Sequence, residues 1–146
     1  MTGKAFLLTL ASGLLFAGCA AKQGEPIDFA NACKIENDGK YVELTGYLQD
    51  RGSVFCSNIG SSTVNCGMTV TAAADGKDGY LADIEQGSGS NQIEKFEGSY
   101  KKDDLKIRDN AGGFVKIGDK VKLTGKFSVP PDAKGCFMHA DKIERQ

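Results

Sequence analysis

Few residues in this chain have the types and spacing that would do chemistry. The single histidine, His139, follows Cys136 and Met138 near the end of the chain, and together these side chains would suit a soft metal ion. The segment is predicted as a strand, in which residues 136 and 138 share one face and residue 139 points away. A structural disulfide beside a surface histidine is therefore the favoured interpretation.

Motifs of the common enzyme classes do not occur in the chain. It contains no nucleophile elbow, zinc-protease helix or ladder of catalytic carboxylates. The sequence GSGS at residues 87–90 shares only its composition with a phosphate loop. We therefore expect a protein that is not an enzyme and that holds no metal and no cofactor. A minor enzyme activity would instead require a pocket in which His139 lies beside a carboxylate.

The N-terminal residues have the organisation of an export signal. Lys4 precedes an apolar run at residues 5–16, and two small residues lead to Cys19. Residues 15–19 (LFAGC) resemble the lipobox of bacterial lipoproteins. The resemblance implies a signal peptide at residues 1–18, lipidation of Cys19, a tether at 19–26 and an outer-membrane location facing the periplasm. The alternative is a plain signal peptide that leaves Cys19 an ordinary thiol.

The other four cysteines suit structural disulfides. They allow three pairings, and none has the Cys-x-x-Cys spacing of a zinc ribbon or a redox site. An exported protein resides where disulfides persist. Cys56 and Cys66 flank a polar, glycine-containing loop, so they can face each other across a hairpin. We predict that pair, which leaves Cys33 to pair with Cys136.

Two segments with nearly the same sequence are predicted as strands. Residues 40–48 (KYVELTGYL) and 118–127 (GDKVKLTGKF) alternate polar and apolar side chains, and each has an in-phase glycine typical of a bend. The second strand directs three lysines outward in one row: Lys120, Lys122 and Lys126. This row is either a solvated face partly neutralised by Glu43 or a surface for an anionic partner or lipid headgroups.

Turn residues and apolar spacing predict the remaining elements. A short helix capped by Asp28 is expected at residues 27–35. Strands are predicted at residues 40–49, 53–57, 63–72, 120–129 and 135–142. The insertion at residues 73–117 is expected to include two short helical pieces between residues 80 and 96.

Three strands, an insertion and two further strands follow the order of an OB-fold, a five-stranded Greek-key barrel. Residues 39–46 (GKYVELTG), 118–125 (GDKVKLTG) and 138–143 (MHADKI) resemble OB-fold proteins of the tRNA anticodon-binding-like group. The resemblance implies one small all-β barrel domain over residues 27–146. Another small β-sandwich or roll is the alternative.

The charge distribution limits the classes of partner. The net charge is −1, and acidic residues predominate in residues 25–97 whereas basic residues predominate in 101–126. A general nucleic-acid binder is usually strongly basic, and only Phe55 offers a stacking ring on the second or third predicted strand. We expect a lipid-anchored cell-envelope protein with a non-catalytic binding or assembly module for an envelope protein or an anionic surface. The alternative is an OB-fold that binds single-stranded nucleic acid or an oligosaccharide.

Overall fold

The computed structural model describes residues 22–60, 62–98, 100–131 and 135–146, and the predicted leader and Cys19 lie outside them. Within these ranges the strands are Glu25–Pro26 (β1), Tyr41–Gln49 (β2), Phe55–Ser57 (β3), Asn65–Thr71 (β4), Gly79–Glu85 (β5), Ile107–Arg108 (β6), Phe114–Val115 (β7), Lys120–Ser128 (β8) and Phe137–Arg145 (β9). Single 3-10 turns span Phe29–Asn31, Ile35–Asn37 and Lys102–Asp104. No helix in the described ranges has the length and apolar character needed to cross a membrane.

Five of these strands close into a barrel. β2 pairs antiparallel with β8 along most of its length and with β4 at its C-terminal end. β4 pairs antiparallel with β5, β5 runs parallel to β9, and β9 returns antiparallel to β8. Closure removes the free edges that an open sheet of this size would expose. The predicted fold class, a small all-β OB-like barrel, is confirmed.

The barrel interior is filled by alternate side chains of the two repeated strands. Val42, Leu44 and Leu48 of β2 and Val121, Leu123 and Phe127 of β8 are all buried, and Leu44 lies directly opposite Leu123. The in-phase glycines are required by close approach. A Cβ at Gly125 would collide with the carbonyl oxygen of His139, and a Cβ at Gly46 would lie 2.6 Å from a methyl carbon of Val70.

The prediction of two short helical pieces between residues 80 and 96 is wrong, because no residue in this range is helical. Gly79–Glu85 is strand β5, with Tyr80, Ala82 and Ile84 pointing inward. β5 takes the third position in the barrel, so the insertion between the third and fourth barrel strands begins near Gln86 rather than at residue 73. The predicted strand at residues 53–57 is the short β3, which flanks β4 outside the barrel.

The predicted helix at residues 27–35 is also wrong. Two separate 3-10 turns occupy this region, and the Asp28 side chain caps neither of them. The Asn37 side-chain amide donates to the carbonyl oxygens of Asn31 and Ala32, at 2.8 and 3.1 Å, and so takes acceptors that a continuing helix would need.

Both predicted disulfides are present. Cys56 and Cys66 lie directly opposite each other on β3 and β4, with their Cα atoms 4.0 Å apart. Cys33 and Cys136 join the first turns to the start of β9, with a Cα separation of 5.3 Å. The first bridge fastens the flanking strand to the barrel, and the second fastens the N-terminal turns to it.

Candidate functional site

A groove of about 340 Å³ lies on the outer surface of β3, β4 and β5. The inward residues of these strands fill the core, so their alternate residues form the floor of the groove. Three apolar side chains line it although they are exposed. The exposed fractions are 74% for Phe55, 87% for Ile59 and 43% for Leu81.

The shape of the groove follows from one glycine. Gly67 of β4 lies opposite Phe55 of β3, and on its other side it lies opposite Asp83 of β5. A Cβ at Gly67 would come within 3.2 Å of a Leu81 methyl carbon. The missing side chain therefore leaves an open floor between the ring of Phe55 and the isobutyl group of Leu81.

Polar groups stand among the apolar ones. Asp50 is buried, accepts a hydrogen bond from the backbone N–H of Gly52 and lies 3.4 Å from the ammonium of Lys102. The side-chain oxygen of Asn65 is shielded from solvent and accepts no hydrogen bond from the described residues. An unpaired buried acceptor is costly, and this oxygen has no exposed surface that a ligand donor could reach.

Asp83 lies at the β9 side of the groove. Burial raises the pKa of its carboxyl, and the neighbouring His139 imidazole opposes that rise. His139 lies opposite Asp83 in the parallel pair of β5 and β9, but it is not among the residues that line the groove. His139 therefore neighbours a carboxylate of the groove without itself lining the groove.

The residues that were weighed as a soft-metal cluster lie on two faces, as the strand pattern predicts. Cys136 is held in its disulfide and Met138 is buried in the core. His139 points outward, with Nε2 4.0 Å from Asp141. Among the residues that the structure describes, no three side chains of histidine, cysteine, aspartate or glutamate come together as a metal site.

The predicted lysine row lies on the outer face of β8, but its members differ in their surroundings. The Lys122 ammonium lies 2.9 Å from Glu144 and 3.7 Å from Glu43. Its hydrogen bond to Glu144 raises the pKa of Lys122, while Lys120 and Lys126 are exposed. The neutralisation by Glu43 therefore applies to the central lysine of the row.

A second concavity of about 440 Å³ lies in the insertion. Its wall includes Glu94, which is already paired with Arg108 and lies 4.0 Å from Lys106. The ring of Phe96 packs edge-on against Tyr100, with centroids 5.0 Å apart. The charged groups and rings of this concavity therefore contact one another, whereas Phe55 and Ile59 of the β3–β5 groove are largely exposed.

Of the groove residues, the sequence pattern indicated Phe55 alone. Leu81 was missed because residues 80–96 were predicted as helical, although the inward alternation of Tyr80, Ala82 and Ile84 marks Leu81 as outward. Ile59 belongs to a polar loop and gives no pattern by itself. Comparison of the chain with known protein families, curated proteins and solved structures finds no match.

Proposed function

We propose that this protein is a lipid-anchored component of the bacterial cell envelope whose OB-like barrel is a non-catalytic binding module. The lipobox-like leader and the disulfides support an exported location, since disulfides persist outside the cytosol. The β3–β5 groove is the proposed binding site, and its ligand is an apolar segment of an envelope protein.

The observation that carries this proposal is the exposure of Phe55, Ile59 and Leu81 in one groove. Single exposed apolar side chains are ordinary, but a concave group of them is typical of a surface that a partner covers. Phe55 provides the largest ring and therefore the strongest anchor. Interface energy is usually concentrated in a few such residues.

Crosslinking in living cells tests the proposed site. A photoreactive residue in place of Ser57, at the groove, should capture an envelope protein that is then identified by mass spectrometry. Phe55→Ala should weaken capture by about tenfold, because truncating an anchor aromatic removes more than about 1 kcal/mol of binding energy. Phe114→Ala is the matched control, since this phenylalanine is also exposed but lies on β7. Equal capture by both variants would contradict the proposal.

An oligosaccharide is the second candidate ligand. The groove offers one aromatic face beside Asn65 and Asp83, a combination that suits stacking on a sugar ring with hydrogen bonds to its hydroxyls. Retention on immobilised envelope glycans that Phe55→Ala abolishes would favour the sugar. A salt-dependent shift of a labelled oligonucleotide would favour a nucleic acid instead.

The proposed anchor is tested at Cys19. Cys19→Ser should block lipidation and signal cleavage, because the thiol carries the lipid, and should release the precursor or strand it in unprocessed form. Several acyl chains bind stably where one binds only marginally, since each buried methylene contributes about 0.8 kcal/mol. Unchanged processing and unchanged detergent partitioning of this variant would refute lipidation.

A further inference from the structure

The first described residues are bound to the barrel. Residues 22–27 form a segment that we call the strap. Its strand β1 runs parallel to β2, and the backbone N–H of Ile27 donates to the carbonyl oxygen of Glu43 at 3.0 Å. Gly24 is buried, and a Cβ there would lie 2.5 Å from the backbone carbon of Val42. Most of the predicted tether is therefore packed against the domain.

The strap also crosses the outer face of the sheet. The Lys22 ammonium lies 3.9 Å from the centre of the Tyr41 ring. Lys22 and Gln23 border a small cleft with residues of β2, β8 and β9. Thr124, in that cleft, alternates with the outward lysines of β8 and yet is only 1% exposed. We call the outer surface of β2, β8 and β9 the strap face.

Little chain separates the strap face from the proposed anchor. Residues 20 and 21 alone lie between Cys19 and Lys22, and three residue steps span at most about 11 Å. This reach is close to the Debye length of about 8 Å at physiological ionic strength. When the strap face lies on the bilayer, its charges can therefore come within a Debye length of the lipid headgroups, where screening is incomplete.

The strap face carries an excess of positive charge. Of its carboxylates, Glu43 and Glu144 are engaged by Lys122, Glu144 is also 2.9 Å from Lys142, and Asp141 lies 4.0 Å from His139. Lys126 has no ion pair with the described residues and lies between Tyr41 and His139 in the strand register. Lys22 and Lys120 are exposed as well.

We infer that the strap face rests on the headgroups of an anionic lipid leaflet, with the strap fixing this orientation. The inference depends on the proposed lipidation of Cys19. An acyl anchor together with a basic patch is a combination that holds a protein at an anionic bilayer. A free tether would leave the orientation of the barrel undefined. The strap is bound to the barrel and therefore determines which wall of the barrel meets the membrane.

Lipid crosslinking in reconstituted vesicles tests the orientation. The mature lipoprotein would carry benzoylphenylalanine in place of Lys126 on the strap face or in place of Ile59 at the groove. In vesicles of phosphatidylcholine and phosphatidylglycerol, we expect several-fold more lipid adduct from position 126. Equal adduct from both positions, in protein that floats with the vesicles, would overturn the orientation and leave lipidation intact. Protein that does not float would instead refute the anchor.

A strap variant separates orientation from charge. Gly24→Val should displace the strap from Val42 and equalise the adduct yields from positions 126 and 59. Gly98→Val is the matched control, because no atom lies within 4 Å of a Cβ built there, and it should keep the difference. Circular dichroism checks that the barrel is folded in both. A difference that persists in folded Gly24→Val would overturn the role of the strap.

Discussion

The two disulfides should contribute unequally to stability. Cys33 and Cys136 are 103 residues apart in the sequence, whereas Cys56 and Cys66 are 10 residues apart. The Cys33–Cys136 bridge therefore restricts far more of the unfolded chain. The loop-entropy relation gives about 4.7 kcal/mol for the long loop and about 3 kcal/mol for the short one. Domains of this size are stable by about 5–15 kcal/mol, so loss of the long bridge removes a large fraction of the total.

Paired alanine variants measure this difference. Cys33→Ala with Cys136→Ala should lower the free energy of unfolding, from urea titration, by about 2 kcal/mol more than Cys56→Ala with Cys66→Ala. Each pair includes one buried cysteine, so the loss of packing is similar in the two variants. A greater loss in the short-bridge variant would refute the loop-entropy reasoning and indicate that local strand pairing dominates.

Three further changes test the core and the groove. Tyr80→Phe should raise the free energy of unfolding by about 1–3 kcal/mol, because the buried Tyr80 hydroxyl has no hydrogen-bond partner among the described residues; a lower urea midpoint would contradict this. Gly125→Ala should lower the thermal midpoint, since its Cβ would collide with the His139 carbonyl oxygen, whereas Gly98→Ala should leave the midpoint unchanged. Burial raises the pKa of Asp83, so its charged form costs stability as the pH rises above 3.8. Asp83→Asn should therefore stabilise the domain at neutral pH and lose that advantage below pH 3.8; a constant difference across this range would refute the assignment.

The two repeated strands were predictable because their signal is local. Alternation along residues 40–48 and 118–127 identifies the buried face, and the in-phase glycines identify the bends without reference to any distant residue. The structure explains why glycine is required at these two positions, because β9 lies too close to Gly125, and Val70 too close to Gly46, to leave room for a Cβ. The hairpin disulfide was predictable for the same reason, since Cys56 and Cys66 are near in sequence.

Strand β5 was missed because its partners are distant and its pattern is ambiguous. A seven-residue segment with apolar groups at 80, 81 and 84 fits about two turns of an amphipathic helix as well as a strand. Its parallel pairing with β9 joins residues more than fifty positions apart, which no local pattern reveals. β5 provides Leu81 to the groove, so the apolar wall could not be predicted from the sequence, although Phe55 was identified.

The position of the groove agrees with the inferred orientation of the barrel. Around the closed sheet the strands follow the order β2, β8, β9, β5 and β4, and β3 flanks β4. The strap runs beside β2, and its first residues border a cleft with β8 and β9, whereas the groove lies over β3, β4 and β5. A barrel resting on its strap face would therefore present Phe55 and Ile59 away from the bilayer. In this arrangement the lysines would contact the lipid and the exposed apolar side chains would contact the protein partner. Reversing the charge at position 126 with Lys126→Glu should therefore not weaken crosslinking of the partner at the groove.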